Sequence, residues 1–406
     1  MKKKITPIRV PYATTIYGAA EKKAVMKVLA DPGKIVAGPR IAEFESKIAG
    51  MFGKKFGVMV NSGSSANLIG LSILDLPVGS EVITPALTFS TTIAPLLQRG
   101  LVPVFVDAEM GTYQVNVDQI ESKITPKTKA LMIPSLIGNL PDFEALQTIA
   151  RKHKLWLIED SCDTLGARFK GKPTGTYSDL STTSFYASHI ITAAGGGGML
   201  CLHDADLARK ARVTAYWGRQ STLFGAYEKS EELEKRFAGV LNGEPYDAKF
   251  IFSEVGFNFQ PMELQGAFGL EQLKRYKGFA ATRKKNFAAH MKFFGQFEDH
   301  FILPKTHPHA DTAWLAFPLT LKENTGFTRF ELAQYLEEHD IQTRPIFTGN
   351  VLRQPGFDGK LNGKATEFPC ADAIMRRGLL IGCHHGITPK HLKYLQSVFT
   401  EFLKAH

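Results

Sequence analysis

The chain has 406 residues, 44% hydrophobic and 22% charged, a length and balance that suit a globular protein of two domains rather than a disordered or fibrous chain. The net charge is +10 and the pI about 9.2. Apart from Lys2-Lys3-Lys4 the basic residues are dispersed, and no helix-turn-helix or RNA-binding signature accompanies them, so a small anionic ligand fits better than nucleic acid, with a merely solvated basic surface as the plain alternative. No apolar run is long enough for a bilayer and no signal-type segment follows Met1, which gives the expectation of a cytoplasmic protein without membrane partners. The four cysteines (Cys162, Cys201, Cys370, Cys383) lack zinc-type spacing and are expected as reduced thiols.

Residues 1–15 read as an irregular arm. Helical periodicity runs from Tyr17 to Ala30 and stops at Asp31-Pro32-Gly33. A second amphipathic helix, Pro39 to Phe52, carries Ile41, Phe44, Ile48 and Phe52 on one face. Strand-like Phe56 to Val60 leads into Asn61-Ser62-Gly63-Ser64-Ser65-Ala66-Asn67 and an apolar helix from Leu68 to Leu74. A strand, a small-residue turn and a helix N-terminus form an anion site when the free N–H groups face a ligand, although Ser and Gly also occur there simply as caps.

Short strands follow at Glu81–Pro85, Val102–Val106, Ala130–Ile133 and Leu155–Ile158, with a helix at Asp142–His153. Short apolar runs alternating with helices indicate a mostly parallel α/β sheet covered on both faces. Ser184 to Thr192, followed by Ala193-Ala194 and Gly195 to Gly198, reads as a strand end, a polar turn, and glycines where backbone passes close to something. A strand at Met199–Leu202 follows. Residues 216–252 are polar and without strong pattern, an expected insertion. A long helix runs to about Phe287. Strands at Trp314–Leu321 and Ile341–Ile346 and helices at Arg329–Glu338 and Lys390–Leu403 make a second domain. The expected units are an arm and helix over 1–30, a large domain over 31–285 and a small C-terminal α+β domain over 286–406.

Asp160 ends an apolar strand, where sheet ligands bind, and on its own would read as a cap or loop residue. Glu159 to Gly166, the 61–67 turn, Pro85 to Phe89, the Ser184 to Gly198 segment and Gly256-Phe257-Asn258 together resemble the DegT/DnrJ/EryC1 family of sugar aminotransferases. The resemblance implies an aspartate-aminotransferase-like, fold-type-I homodimer with a shared active site that binds pyridoxal or pyridoxamine phosphate. It places Asp160 and Asp163 at the cofactor and Phe89 stacked on its ring. Ser64, Ser65 and Ser184 fall at its phosphate, as does Asn258, commonly from the neighbouring subunit.

The family's Schiff-base lysine is replaced by His189, and no lysine lies between Lys172 and Lys210. That substitution resembles the family's 3-dehydratases, which remove the C3 hydroxyl of nucleotide-linked 4-keto-6-deoxyhexoses in dideoxysugar and lipopolysaccharide O-antigen biosynthesis. In this reading His189, with an ordinary pKa of about 6.5, moves a proton at the cofactor. Arg344 and Arg353 are candidates for a diphosphate or carboxylate. Adjacent His384 and His385 do not form a metal pair, and no metal is expected.

One type of these dehydratases carries a [2Fe–2S] cluster on four cysteines. Cys162 resembles the first, but residues 216–252 contain no cysteine, so no cluster is expected. The resemblance then points to the type that regenerates its cofactor from glutamate. A sugar aminotransferase altered at position 189 and a non-enzymatic binding protein on the same fold remain the alternatives.

Overall fold

A computed structural model describes residues 8–225 and 232–406; residues 1–7 of the expected arm and 226–231 of the expected insertion lie outside the described residues. Seven strands build the central sheet: β1 (Phe56–Val60), β2 (Glu81–Pro85), β3 (Val102–Val106), β4 (Thr128–Pro134), β5 (Trp156–Asp160), β6 (Leu180–Ser184) and β7 (Gly198–Leu202). Their order is β1-β7-β6-β5-β4-β2-β3. Strand β7 runs antiparallel to both neighbours and every other pairing is parallel. Side chains alternate across it, so Ala130 and Met132 pack on one face while Leu131 and Ile133 pack on the other.

Among the described residues, six helices longer than a single turn belong to this half: α1 (Ala19–Leu29), α2 (Pro39–Met51), α3 (Gly63–Ser72), α4 (Ser90–Gln98), α5 (Phe143–His153) and α6 (Ala205–Ala215). Ala66, Ile69 and Ala211 from α3 and α6 cover one face; Phe143 and Leu146 from α5 cover the other. Helix α3 starts five residues before the expected Leu68, because Ser62 accepts a hydrogen bond from Ser65 N and turns the small-residue stretch into the first helical turn.

The long helix α7 is unbroken from Glu263 to Phe294, so the expected boundary at 285/286 falls inside it. Beyond it lies a second, antiparallel sheet of β8 (Phe301–Ile302), β9 (Phe317–Leu321), β10 (Thr343–Pro345) and β11 (Gly378–Ile381), in the order β8-β9-β11-β10. Helices α8 (Arg329–Glu338), α9 (Pro369–Arg377) and α10 (Pro389–Ala405) accompany it. Its core also takes in Leu87, Ile93 and Phe105 from the first half of the chain, so apolar packing is continuous between the two sheets.

Glu263, at the start of α7, is fully buried. Its carboxylate accepts from the main-chain N–H groups of Gly38 (2.8 Å), Arg40 (2.8 Å) and Ile41 (3.3 Å), and so caps α2 from across the chain. The described part of 216–252 is more ordered than its composition suggests. It contains a hairpin, Gly239–Leu241 with Glu244–Tyr246, turned by Asn242 and Gly243 at φ 54 and 88.

Candidate active site

Pro134, Asp160 and Ser184 are the last residues of β4, β5 and β6, and all three line one cavity of 290 Å³ at the C-terminal edge of the sheet. Helix α3 points its N-terminus at the same space through Ser62, Gly63 and Ser64, whose first N–H groups have no intrahelical acceptor. Gly63 is required by packing, since a Cβ there would lie 2.6 Å from Cys162 Sγ and 2.7 Å from Ser184 Cβ.

Asp160 is buried and receives only donors. Oδ2 accepts from Asn67 Nδ2 (2.9 Å) and Thr92 Oγ1 (2.8 Å), and Oδ1 from Cys162 N (3.2 Å). Its neighbour Glu159 faces the opposite way and is satisfied by hydroxyls of Ser161, Ser178 and Ser181, so alternation along β5 separates a structural carboxylate from one on the cavity. Asp163 also lines the cavity. Burial, foremost, and Asp160 push its pKa up to about 7, opposed by the N–H of Ile137, which donates to Oδ2 at 2.9 Å. Ile137 takes φ 61, a conformation unfavourable for a β-branched residue.

His189 sits on the wall. Its Nδ1 bonds the Cys162 carbonyl, which accepts only, so Nδ1 carries the hydrogen and Nε2 keeps a lone pair. Burial pushes the imidazole pKa down to about 4; the Cys162 bond and Asp160 oppose this, and Arg283 reinforces it. This corrects the ordinary value assumed from sequence: at neutral pH the ring is an uncharged base. Phe89, 48% exposed, presents its ring to the cavity and meets Phe347 edge-on at 5.9 Å.

Four expected residues lie elsewhere. Ser65 Oγ donates to Asn61 Oδ1 at 2.6 Å, outside the cavity lining, so it braces the turn. Asn258 is exposed beside Tyr216 and does not line this chain's cavity. Arg353 is committed to Asp372, a carboxylate only 5% exposed that Asn350 also contacts. Arg344 stands over the Tyr12 ring at 5.5 Å in a separate recess of 360 Å³, which shares Tyr186 with the cavity.

Sequence reading passed over Asn67, Thr92, Tyr186 and Phe347, all of which line the cavity. Among the described residues no group of three metal-ligating side chains occurs, and no helix is long and apolar enough to cross a membrane. His384 and His385 follow β11; the first bonds Pro11 O and the second stacks on Phe279 at 3.9 Å.

Residues 16–400 match the DegT/DnrJ/EryC1/StrS aminotransferase family. The chain belongs to this family. It is 37% identical over 380 residues to a dTDP-4-dehydro-2,6-dideoxy-D-glucose 3-dehydratase of Saccharopolyspora spinosa, covering 91% of this chain and 81% of that one. It is also 37% identical over 403 residues to the lipopolysaccharide biosynthesis protein RfbH of Salmonella typhimurium, covering 97% and 91%. A solved GDP-4-keto-6-deoxymannose-3-dehydratase with a trapped PLP–glutamate geminal diamine superposes with a TM-score of 0.84 at 29% identity, over 96% of this chain and 99% of that one. The likeness confirms the fold-type-I, α/β architecture expected from the sequence.

The cavity fits the family's pyridoxal-type cofactor on its own features. It has a carboxylate held by three donors at its base, an exposed aromatic ring at its side and a helix N-terminus flanked by hydroxyls at one end.

Proposed function

We propose that this chain is a pyridoxamine-phosphate-dependent 3-dehydratase of a nucleotide-linked 4-keto-6-deoxyhexose, working in dideoxysugar and lipopolysaccharide O-antigen synthesis. The observation that carries the proposal is His189, an uncharged imidazole with a fixed tautomer and a free Nε2, where a family aminotransferase carries lysine. The bound cofactor supplies an amine that condenses with the sugar ketone and a ring that stores electrons.

Asp160, its carboxylate fixed by donors, would pair with the ring nitrogen and favour its protonated form. Phe89, exposed on the cavity wall, would stack on the ring. Ser64, Ser184 and the α3 N-terminus hold the phosphate, with Ser65 bracing the turn through Asn61. His189 Nε2, left as a proton acceptor by the Cys162 bond, would be the group that takes a proton in the site and gives one to the departing C3 hydroxyl once the cofactor is bound. Lacking a lysine amine, the site has nothing to recapture the cofactor covalently, which favours elimination over amino transfer. Arg344 is the better candidate for the substrate diphosphate, since Arg353 is occupied by Asp372.

The exposed position of Asn258, outside its own cavity, supports a homodimer in which it serves the neighbouring site. Glutamate is the proposed amino donor, in line with the glutamate adduct of the solved dehydratase. We propose no iron–sulfur cluster, because residues 216–252 hold no cysteine. The cytoplasm is the proposed location.

The test is a product mass. Protein, pyridoxamine phosphate and glutamate are mixed with CDP-, GDP- and dTDP-4-keto-6-deoxyhexoses. A product lighter by one oxygen, with release of 2-oxoglutarate, is expected with one of them. A product bearing an amine at the former ketone would return the chain to the aminotransferases. The same assay on His189→Lys reads the role of the imidazole, and abundant amino sugar from the unsubstituted chain would end it.

A further inference from the structure

Arg283 lies midway along α7 and is 1% exposed. Among the described residues no carboxylate pairs with it, and its Nε has no partner. Its two terminal nitrogens donate only to main-chain carbonyls. Nη1 reaches Leu315 O at 2.9 Å and Trp314 O at 3.4 Å; Nη2 reaches His189 O at 3.2 Å. Burying a cation without a counter-charge is unfavourable, and an apolar side chain would fill the space without that cost. The charge is spent instead on joining two chain segments. One, at 314–315, is anchored in turn by Leu315 N donating to Ile137 O at 2.8 Å. The other is the turn that carries the imidazole.

We propose that Arg283 is a positioning residue for His189, clamping its main chain from the helix α7 side while the Cys162 carbonyl clamps its ring. The imidazole is then held at both ends, and the Nε2 direction is set by two contacts that no substrate makes. The proposal rests on the dehydratase reading only for its kinetic arm. Asp160, Asp163, Cys162 and Tyr186 share the cavity with the imidazole. Around the guanidinium itself, Tyr12 and Cys383 are kept protonated by burial, and His384 and His385 are kept neutral by it; Arg344 acts on Tyr12 and Arg275 on His385, and Arg283 is the cation that acts on the His189 ring. That charge disfavours the imidazolium.

The experiment compares Arg283→Gln and Arg283→Lys with the unsubstituted chain, reading only protein whose near-UV circular dichroism is unchanged. Two quantities are followed. The first is the titration of the His189 ring by carbon-13 histidine NMR in cofactor-free protein, assigned as the resonance missing in His189→Asn. The second is kcat, with KM and cofactor Kd, in the product assay.

Arg283→Gln is expected to move the His189 titration to higher pH and to lower kcat at least about tenfold, with KM and cofactor Kd within about twofold. Arg283→Lys keeps the charge and loses the fork, so the titration stays and kcat still falls. If Arg283→Gln does not fold, the lysine variant decides: an unchanged kcat there overturns the proposal. So does a folded Arg283→Gln with wild-type titration and kcat, or one whose loss is entirely in cofactor affinity. If no sugar is turned over by any form, the dehydratase reading fails, while the titration still reports whether Arg283 controls the imidazole.

Discussion

Gly198 opens β7 directly beside the start of α3. A Cβ built on it would lie well inside van der Waals contact with the Ser62 carbonyl and 2.5 Å from Gly63 N. Carbon contacts are optimal at about 3.5–4.0 Å, so Gly198→Ala has to drive the two main chains roughly 1 Å apart. Overpacking of this kind costs about 1–3 kcal/mol. The displaced atoms are the first turn of the proposed phosphate cradle, and a 1 Å displacement of a positioning element is worth up to about 100-fold in rate.

Gly196→Ala is the internal control. A Cβ there meets nothing closer than Asn61 O at 3.6 Å, and its φ lies outside the left-handed region. Thermal melts with and without pyridoxal phosphate, and an absorbance titration with the cofactor, compare the pair. Gly198→Ala should melt several degrees lower and lose most of the cofactor-induced stabilisation, while Gly196→Ala tracks the unsubstituted protein. Equal behaviour of the two variants would refute the argument that main-chain proximity at Gly198 shapes the cradle.

Asp160→Asn turns an amide N–H₂ onto either Asn67 Nδ2 or Cys162 N, neither of which can accept; it should cost about 1–3 kcal/mol and raise the cofactor Kd more than about tenfold, read by melting and titration. Arg353→Ala leaves the buried Asp372 carboxylate with Asn350 as its side-chain donor; it should lower the melting temperature slightly and leave cofactor affinity unchanged, and a selective rise in KM would instead put Arg353 on the substrate. His290 is fully buried, and its pKa is pushed down to about 4 from 6.5 by burial, so the folded state binds its proton later than the unfolded chain. Its stabilising contribution is complete above pH 6.5 and declines as pH falls toward 4, by about 3 kcal/mol. Urea midpoints at pH 7, 5 and 4 should therefore be less pH-dependent in His290→Phe, and an identical pH profile would show that the ring titrates alike in both states.

Elements with strong local signals were legible in the sequence. Helix α8 has the expected bounds because Thr328 and Glu331 form a reciprocal cap at its start. Helix α4 gave no expectation: Thr91, Thr92, Ile93 and Pro95 all disfavour an isolated helix, and tertiary packing of Ile93 and Leu96 overrides that preference. Asn242-Gly243 is a strong hairpin dipeptide whose signal was obscured by the polar composition around it.

At the site, Asp160, Ser184 and His189 stood out because strand ends and a family pattern mark them. The commitment of Arg353 to Asp372, 19 residues away, depends on how a loop folds over α9, and no spacing rule carries that. The low pKa of His189 was hidden for the same reason, since burial is a property of the assembled cavity and not of the residue.

The Glu263 carboxylate also bears on how the protein is made. Helix α2 leaves the ribosome well before its cap, which arrives more than 220 residues later. Until then the exposed N–H groups of Gly38, Arg40 and Ile41 are left to water. A nascent chain ending before residue 263 therefore has an incompletely closed α2, and the β1–β7 edge of the sheet is covered by a helix whose end still frays. Completion of the fold is tied to synthesis of the second half of the chain, a long-range closure that slows folding and leaves shortened products open to proteolysis.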